Sequence, residues 1–564
     1  MSPGGPVRAV RAVARRGQRA LLRRVVHEAL ARLGRVGARL ADPGVPDGPF
    51  LACGPSATDA TSVVHPGIPA AAAPRPPVLP VRADDSRPWQ EAELYAFGDV
   101  RLAWEAGRWG TLPRLAWLAR MLGDPSFIAR LERELATFLR LCPPYRGAMW
   151  ASAQEAAIRL LHLVVAARLL EAGPTAAGRA LAALLIDRIL ATLPYERSLA
   201  NNHGIVCAAA LAVAGVWLGE PLLRNRGLVL LASDLPSLVT AEGGFAQVST
   251  RYHRLALDAI AFAGLLAGPL PEAVQDCGRA MTRWLARLTD VATGRTPRLG
   301  HDDGTVLADV LGSDPDDARP TLVRAAAAFG AEPADALAAL AGLGIPAPPA
   351  DGVWLDCDGG TAGLRQGPTI ALLRLPCGRF APGQGDVMHL SLLHAGEEVL
   401  RDAGSWLYNP PGGATDLAGT RHHNTAQWGG EDRPPRLSRW LFAPLPRRAS
   451  VAVEPWRMWA CARDHERTVV LRGGLCTVID ELDRPGAVIR WHLSPGLWRR
   501  TGGGVVGPTG VVTVRADGEV ALALTDGWES PCYGRRRRLP VFEIRCGAAT
   551  RSVVSAIRFG GDPA

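Results

Sequence analysis

A change of hydrophobic periodicity near residue 350 constrains the fold of this chain more than any other feature. From about residue 85 to 345, apolar residues recur at spacings of three and four, and Gly or Pro ends each run, which is typical of amphipathic helices. Runs of similar length follow one another in pairs, so stacked helical hairpins are expected, as in a solenoid or an α/α toroid. After about 350, short segments such as TIALLRL and VALALTD alternate with Gly, Pro and Asp, which predicts an antiparallel sandwich or barrel.

The helical and the strand patterns divide the chain into domains. A single hydrophobic core stops growing at roughly 250–300 residues, so a chain of 564 residues is expected to form two large domains. Residues 85–348 are predicted to form the helical domain and residues 349–564 the sheet domain. Residues 1–84 are predicted to form a basic helix followed by a Pro/Ala-rich linker, because proline fixes φ and removes a hydrogen-bond donor.

The basic charge of the chain comes entirely from arginine and leaves a net charge of +9. Arginine binds carboxylates and sulfates in bidentate fashion, so an acidic polysaccharide is a suitable partner. A nucleic acid is not expected as a partner, because the sequence contains no nucleic-acid recognition motif and no basic helix with interleaved aromatic residues. Ten scattered cysteines form no CxxC pair, which argues against a zinc finger or a thioredoxin-like site.

The arginine-rich N-terminal segment RAVRAVARRGQRALLRRVV is informative about contact with membranes and about the cellular location of the protein. No apolar run of the chain approaches the ~18 residues of a membrane span. The basic helix is either solvated or in contact with an anionic membrane surface. Arginine interrupts every stretch that could serve as a secretory signal, so a cytoplasmic location is expected, with periplasmic or non-standard secretion as the alternative. No oligomeric state is predicted.

Four polar clusters interrupt the apolar pattern. Taken singly, each has a plain structural explanation: a helix cap, a hydrogen-bonded loop, a core histidine, or a hydrogen-bonded sheet end. Four such clusters in a chain with twelve histidines are improbable as independent accidents, and their division between the domains indicates a site at the interface. The clusters are residues 198–204 with the triplet NNH, 243–254 (GGFAQVSTRYHR), 385–391 (GDVMHLS), and 401–409 followed by 421–425.

In their amino-acid residues and in their order along the chain, these segments resemble bacterial heparinase II/III family proteins of the alginate-lyase-like type. The resemblance extends over about residues 95–500. The resemblance also includes the polar loop His301-Asp302-Asp303-Gly304 and the tripeptide Trp491-His492-Leu493. It implies an incomplete N-terminal α/α toroid followed by a C-terminal antiparallel β-sandwich. It also implies a carbon–oxygen lyase that cleaves a uronic-acid-containing polysaccharide by β-elimination. Relatives without a secretory leader suggest a role in exopolysaccharide metabolism.

The family's catalytic residues carry over to Asn202, His203, Tyr252 and His389. Removing the C5 proton of a uronate requires that the charge of the neighbouring carboxylate be offset, a task that suits Asn202 and His203. Tyr252 and His389 would divide the roles of acid and base. His389 is the readier base, whereas Tyr252 would need its pKa lowered, with the assistance of Arg251 or Arg254. The choice between them depends on whether the C5 proton and the leaving group lie on the same face of the sugar. Further residues are expected to contact the substrate: Arg159, Asn201, Gln247, Arg251, His253, Arg254 and His423.

The resemblance implies no required cofactor. A structural zinc ion is considered because two residues match metal-ligand positions of the family. Asp402 and His423 match metal ligands of the relatives, but Ser391 stands where those relatives carry His or Asp. Two ligands are too few for a closed zinc site. His394 or His422 would have to complete it.

Two other functions compete with the lyase. One is a non-catalytic glycan-binding or assembly protein on the same fold, which becomes the better interpretation if the four catalytic residues are dispersed. The other is a glycoside hydrolase, which needs two facing carboxyl groups. The candidates for those groups are Glu242, Asp302 and Asp303.

Overall fold

The computed structural model describes residues 40, 43–54, 74, 79, 86–95, 98–330, 335–411 and 416–560. The predicted basic helix and most of the predicted linker lie outside these residues. One described piece of the linker packs on the helical domain: Phe50 is fully buried. The backbone N–H groups of Phe50 and Leu51 donate to the Glu132 carboxylate at 2.8 and 3.0 Å. Strand β1 (Leu51–Ala52) pairs there with β2 (Gly173–Pro174).

Eleven α-helices precede the sheet region in the described part of the chain. Polar side chains begin several of them, and glycines with positive φ end others, as local sequence preference dictates. The helices are α1 (Val100–Ala106), α2 (Leu112–Leu122), α3 (Ser126–Leu141), α4 (Ala153–Leu169), α5 (Ala176–Ser198), α6 (Asn202–Leu218), α7 (Pro221–Leu238), α8 (Thr250–Leu266), α9 (Glu272–Leu288), α10 (Arg319–Phe329) and α11 (Ala336–Ala341).

The helices form two layers. Helices α2, α4, α6, α8 and α10 contact one another in sequence, and α3, α5, α7 and α9 each pack on the outside of this row. Helix α6 is apolar on all sides and almost entirely buried, as expected for an inner helix. The predicted α/α toroid is confirmed. No helix of the described ranges combines the length and apolar character needed to cross a bilayer.

The strands after residue 350 confirm the predicted antiparallel β-sandwich. They are β3 (Gly352–Asp356), β4 (Thr361–Gln366), β5 (Thr369–Arg374), β6 (Leu390–His394), β7 (Glu397–Leu400), β8 (Ala426–Trp428), β9 (Arg436–Ser438), β10 (Leu441–Phe442), β11 (Ser450–Glu454), β12 (Arg457–Ala462), β13 (His465–Arg472), β14 (Leu475–Leu482), β15 (Ala487–His492), β16 (Arg499–Thr501), β17 (Gly504–Gly507), β18 (Gly510–Ala516), β19 (Val520–Glu529), β20 (Arg537–Cys546) and β21 (Ser552–Arg558).

Three antiparallel sheets account for most of these strands. Their orders are β11-β12-β13-β14-β21-β18-β17-β16, β19-β20-β15-β8 and β3-β4-β5-β6-β7. Alternate residues of the facing strands, such as Val478, Trp491 and Phe542, form one buried core, which is the pattern of a sheet with one face inward.

Polar contacts join the helical and sheet domains. The Thr240 hydroxyl donates to Asp356 at 2.7 Å, and the Arg365 side chain donates to the carbonyl oxygen of Thr289 at 3.0 Å. Across the same interface, the Tyr533 hydroxyl donates to Asp99 at 2.6 Å. Because these contacts fix one domain against the other, side chains from both domains can build a single site.

Candidate active site

Two neighbouring inner helices, α6 and α8, begin at the same end of the helical domain. The Asn201 side chain caps α6 by accepting from the His203 N–H at 2.9 Å, and Ser249 caps α8 by accepting from the Tyr252 N–H at 3.0 Å. Gln247 ties the two ends together, because its Oε1 accepts from the Asn202 N–H at 3.0 Å. Asn202, His203 and Tyr252 therefore gather where two helix dipoles favour negative charge.

Asn202 is buried, with 1% of its surface exposed. Yet neither its amide nitrogen nor its amide oxygen has a hydrogen-bond partner in the part of the chain that the structure describes. A buried polar group without a partner costs free energy, and the great majority of such groups in folded proteins are satisfied. This amide is therefore arranged to bind a group that is not part of the chain.

His203 is held by a carboxylate that the sequence analysis did not identify. Its Nδ1 lies 2.7 Å from Oε2 of Glu196, whose side chain is only 5% exposed, whereas that of His203 is 30% exposed. A carboxylate only accepts hydrogen bonds, so the proton of the neutral ring lies on Nδ1 and Nε2 keeps its lone pair. A carboxylate that orients a histidine in this way is the arrangement of a general base.

Tyr252 lies at the boundary between the domains. Its hydroxyl forms a hydrogen bond with the hydroxyl of Tyr408, which comes from the sheet domain. Burial raises the pKa of Tyr252 well above its usual range, and the charge of Asp303 acts in the same direction. The phenol is therefore protonated at neutral pH and is suited to donate a proton.

Tyr408 is a second member of the site that the sequence analysis did not assign. Its backbone N–H donates to the Tyr533 hydroxyl at 2.8 Å, and its ring lies 5.7 Å from that of His301 and 4.8 Å from that of Trp440. Tyr408 belongs to the 401–409 segment that stood out in the sequence. Its partner Tyr252 is 156 residues away, so no local spacing could indicate the contact.

Arg251 and Arg254 do not assist Tyr252 as expected. Arg251 donates to Asp302 at 2.8 Å and to Asp316 at 2.5 Å. Arg254 donates to the carbonyl oxygens of residues 315 and 317 at 2.9 and 2.6 Å. Both guanidinium groups hold the loop after residue 300, and the pKa of Tyr252 is raised rather than lowered.

Arg159 and His253, also expected to contact substrate, lie in the helical core. The fully buried Arg159 donates to the carbonyl oxygens of residues 107 and 149, both at 2.6 Å. His253 stacks on Trp284 at 4.5 Å, and its Nε2 lies 3.1 Å from the carbonyl oxygen of residue 243. Burial lowers the pKa of His253 to about 3. Both side chains stabilise the helical domain and are closed to a polymer.

His389, the expected base from the sheet domain, is also enclosed. It is 1% exposed. Its Nδ1 accepts from the Asn424 N–H at 2.9 Å, and its Nε2 lies 2.9 Å from the Ser391 hydroxyl. Burial lowers the pKa of His389 to about 4. The expectation of a base from this residue therefore does not fit the structure, since both ring nitrogens are engaged and neither reaches solvent.

His389 instead joins the two residues expected to bind metal. One ligand atom each from His389, Asp402 and His423 lies within 4.8 Å of the others, and all three side chains are buried. Oδ2 of Asp402 is 3.0 Å from Nδ1 of His423 and 3.7 Å from Nε2 of His389. Although burial acts in the opposite direction, the Asp402 charge raises the pKa of His423.

Two imidazoles and a carboxylate are a donor set that fits zinc. Bound there, zinc would cross-link the residue immediately before strand β6 to the segments that carry Asp402 and His423, which would stabilise the sheet domain. The histidines proposed as substitutes are not in the three-residue group found among the described residues. His394 lies 2.9 Å from the Thr369 hydroxyl instead.

The carboxylates proposed for a hydrolase are each paired with an arginine. Glu242 lies 3.0 Å from Arg287, and Asp302 is held by Arg251. Arg101, 2.8 Å from Asp303, holds the pKa of that carboxyl well below its usual range despite burial. A hydrolase needs one protonated carboxylic acid, so these three residues do not support hydrolysis.

A cavity of about 620 Å³ also lies between the domains. Its lining includes Arg251, Asp302 and Tyr533 but not Asn202 or His203. Most of its charged groups already form ion pairs with one another. The candidate catalytic residues Asn202 and His203 therefore lie at the helix ends and not in this cavity.

Comparison with known proteins agrees with the architecture. Residues 358–545 match the family model "Heparinase II/III-like, C-terminal". No curated protein sequence matches the chain. A crystal structure of heparinase III aligns with a TM-score of 0.61 and 15% identity, covering 81% of this chain and 77% of that one.

A second heparinase III gene product aligns with a TM-score of 0.56 at 15% identity, covering 84% of this chain and 81% of that one. A mutant of the heparan sulfate lyase HepC from Pedobacter heparinus aligns with a TM-score of 0.53 and 19% identity, covering 84% and 79%. At these identities the likeness establishes the fold. The chain therefore carries a heparinase II/III-like C-terminal domain and has the toroid-plus-sandwich fold of heparinase III.

Proposed function

We propose that this protein is a polysaccharide lyase that cleaves a uronic-acid-containing polymer by β-elimination at the N-terminal ends of α6 and α8. One observation carries the proposal: the buried Asn202 amide, which has no hydrogen-bond partner among the described residues, lies next to a carboxylate-held histidine at the start of α6. Gln247 ties that helix end to the start of α8, whose first turn carries the protonated Tyr252. This set supplies a charge-stabilising group, a base and an acid.

Asn202 would bind the uronate carboxylate. Its amide N–H group and the two helix N-termini place donors where negative charge develops as the C5–H bond breaks. Burial of the amide strengthens these interactions, because charges are poorly screened in a low-dielectric interior.

His203 and Tyr252 would divide the proton transfers. Nε2 of His203 takes the C5 proton, the electron pair of the C5–H bond forms the C4–C5 double bond, and the C4–O bond breaks. The Tyr252 hydroxyl then protonates the departing oxygen, and proton exchange with solvent restores both residues. Glu196 stabilises the imidazolium that forms, so it acts as a positioning residue.

Tyr408 controls access in this scheme. Its hydroxyl occupies the position at Tyr252 that the glycosidic oxygen of a substrate would take. Substrate binding would therefore replace the Tyr252–Tyr408 hydrogen bond with one to the sugar.

The substrate class follows from charge. The solved relatives named above include a heparan sulfate lyase, and arginine is the residue that best binds sulfate and carboxylate. We therefore include sulfated glycosaminoglycans and unsulfated uronate polymers as candidates, with a bacterial exopolysaccharide as a further candidate.

A polymer screen tests the proposal. The full chain is incubated with individual uronate polysaccharides, and products are followed by ultraviolet absorbance of the unsaturated uronate and by mass spectrometry. We expect unsaturated products from at least one polymer and none from Tyr252→Phe. The matched control is Tyr145→Phe, a buried tyrosine of the helical domain whose hydroxyl donates to the carbonyl oxygen of residue 184 at 3.1 Å.

The absence of unsaturated products from every polymer tested would count against the lyase. Retained binding of a polymer in that case would favour the non-catalytic glycan-binding alternative on the same fold.

A further inference from the structure

A surface next to the candidate active site carries an unusual concentration of positive charge. Four consecutive arginines, Arg535–Arg538, lie where strand β20 begins, and all four are exposed. Arg537 is neutralised, because its Nε lies 2.6 Å from Glu529. The other three form no ion pair with a carboxylate among the described residues.

Two tryptophans support Arg536 and Arg538. The Arg536 guanidinium lies 4.0 Å from the ring centre of Trp406 and 4.4 Å from that of Trp528, and the Arg538 guanidinium lies 4.1 Å from that of Trp528. A guanidinium over an aromatic face keeps its full charge and directs its N–H groups outward, in its own plane. The rings therefore hold the arginines in place without using the donors that bind an anion.

This surface is physically continuous with the candidate site. The carbonyl oxygen of Trp406 accepts from the Gly534 N–H at 2.8 Å, and the ring of Tyr533 lies 5.1 Å from that of Tyr408. Tyr408 in turn contacts Tyr252. An extended ligand bound at Tyr252 and leaving the site past Tyr408 would therefore pass directly over the arginines.

We propose that Arg535, Arg536 and Arg538 form an extension subsite that binds anionic groups of an acidic polysaccharide beyond the cleavage point, with Trp406 and Trp528 supporting Arg536 and Arg538. The name Arg–Trp surface is used below for these five residues. The proposal rests on the proposed function for the identity of the polymer, whereas the surface itself is defined by contacts that do not involve the catalytic residues.

Chemistry favours a polysaccharide over other polyanions. Three guanidinium groups lie at one exposed strand end, two of them stacked on tryptophan. They match the repeating sulfates or carboxylates of an extended polymer, each of which accepts two parallel hydrogen bonds. The half-buried rings of Trp406 and Trp528 additionally offer apolar area at their edges to sugar rings. A membrane surface would instead be expected to require apolar side chains that insert, and Arg536 and Arg538 cover the tryptophan faces.

Binding is measured in the full chain carrying Tyr252→Phe, so that cleavage does not interfere. The test variant replaces Arg535, Arg536 and Arg538 with Gln. The control variant replaces three exposed arginines elsewhere in the sheet domain, Arg447, Arg448 and Arg472, also with Gln. The two variants have the same net charge, so any difference between them depends on position.

The probes are heparan sulfate, its fully desulfated form, and vesicles containing phosphatidylserine. We expect the test variant to bind one or both polysaccharides about tenfold or more weakly than the parent, since exposed charge pairs contribute modestly but add up. The control variant should change the Kd less than about threefold. Loss confined to heparan sulfate identifies sulfate as the bound group, and loss with both polymers identifies the carboxylate.

Equal losses in the two variants, or no loss in the test variant, would overturn the proposal. So would a loss of vesicle binding with unchanged polysaccharide binding, which would make the surface a membrane contact. Thermal unfolding of all variants checks that the fold is kept. Because the assay reads binding, a failure of the lyase chemistry leaves this result interpretable: an inactive protein that still binds through the Arg–Trp surface separates the two proposals.

Discussion

Replacing Asn202 with leucine should increase stability while removing activity. The Asn202 amide is buried, and neither of its polar atoms has a hydrogen-bond partner among the described residues. Each buried, unsatisfied polar group costs about 1–3 kcal/mol. Leucine has nearly the same shape and no polar atoms, so Asn202→Leu should raise the free energy of unfolding by about 1–3 kcal/mol.

A gain near 2 kcal/mol corresponds to a rise in Tm of about 4–8 °C for a domain of this size. Activity should move in the opposite direction. Loss of one donor that stabilises developing charge costs about 10²–10³ in kcat. The assay pairs thermal unfolding with initial rates of unsaturated-uronate formation on the polymer identified by the screen.

Asn424→Leu is the matched control, because Asn424 is equally buried but fully bonded. Its amide donates to the carbonyl oxygens of residues 390 and 401 at 2.9 Å each, and its oxygen accepts from the His492 N–H at 2.6 Å. Leucine there leaves three backbone groups unpaired and should destabilise the protein by at least about 3 kcal/mol. If Asn202→Leu destabilises the fold as Asn424→Leu does, or keeps its activity, the reasoning about Asn202 is refuted.

Other residues give independent checks. Glu196→Gln should lower kcat by about 10²-fold or more with little change in KM, since it removes the group that orients His203; a change confined to KM would contradict this role. Arg159→Met should lower Tm yet leave KM unaltered in the folded fraction, and a raised KM would return Arg159 to the substrate site. Zinc added to metal-free protein should raise Tm and bind in about one equivalent by elemental analysis, and His423→Ala should abolish both effects. The pKa of Asp480 falls from 3.8 to about 2, because Arg467 and His465 outweigh the effect of burial. A depressed pKa contributes stability above the unfolded value and loses it as pH falls toward the folded value. About 2 kcal/mol should therefore be lost between roughly pH 4 and pH 2, and unfolding curves of Asp480→Asn should show a flatter pH dependence over that window.

The division into a helical and a sheet domain was predictable because periodicity depends only on local spacing. The last described helix of the toroid ends at Ala341 and the first strand of the sandwich begins at Gly352, close to the predicted change near 350. The polar triplet at 201–203 was likewise readable, since asparagine before an apolar run favours a helix N-terminus.

The composition of the site was less accessible, because it depends on contacts between distant segments. His389 alternates with apolar residues, and that pattern is the same for a core histidine and for one that faces a cleft. Glu196 and His203 meet across the turn between two helices, and Tyr252 and Tyr408 meet across a domain interface. Neither contact corresponds to the residue spacing of a helix or a strand, so neither could be predicted from the local sequence pattern.

Which arginines would bind a substrate could not be predicted from the sequence either. Arg159, Arg251 and Arg254 were attractive partners for an acidic polymer on charge alone. The structure uses all three to hold backbone carbonyls or carboxylates within the chain. An arginine becomes available to a ligand only where internal acceptors are absent, as at Arg535, and the sequence does not reveal where that occurs.

Cleavage in water labelled with heavy oxygen tests the central claim most directly. A β-elimination adds no water, so mass spectrometry should find no label in either fragment at the cleaved bond, and the new non-reducing end should absorb in the ultraviolet. The same products should be missing when Tyr252 is replaced by Phe. Incorporation of heavy oxygen at the cleaved bond, with no ultraviolet absorbance, would show hydrolysis and contradict the assignment of a lyase.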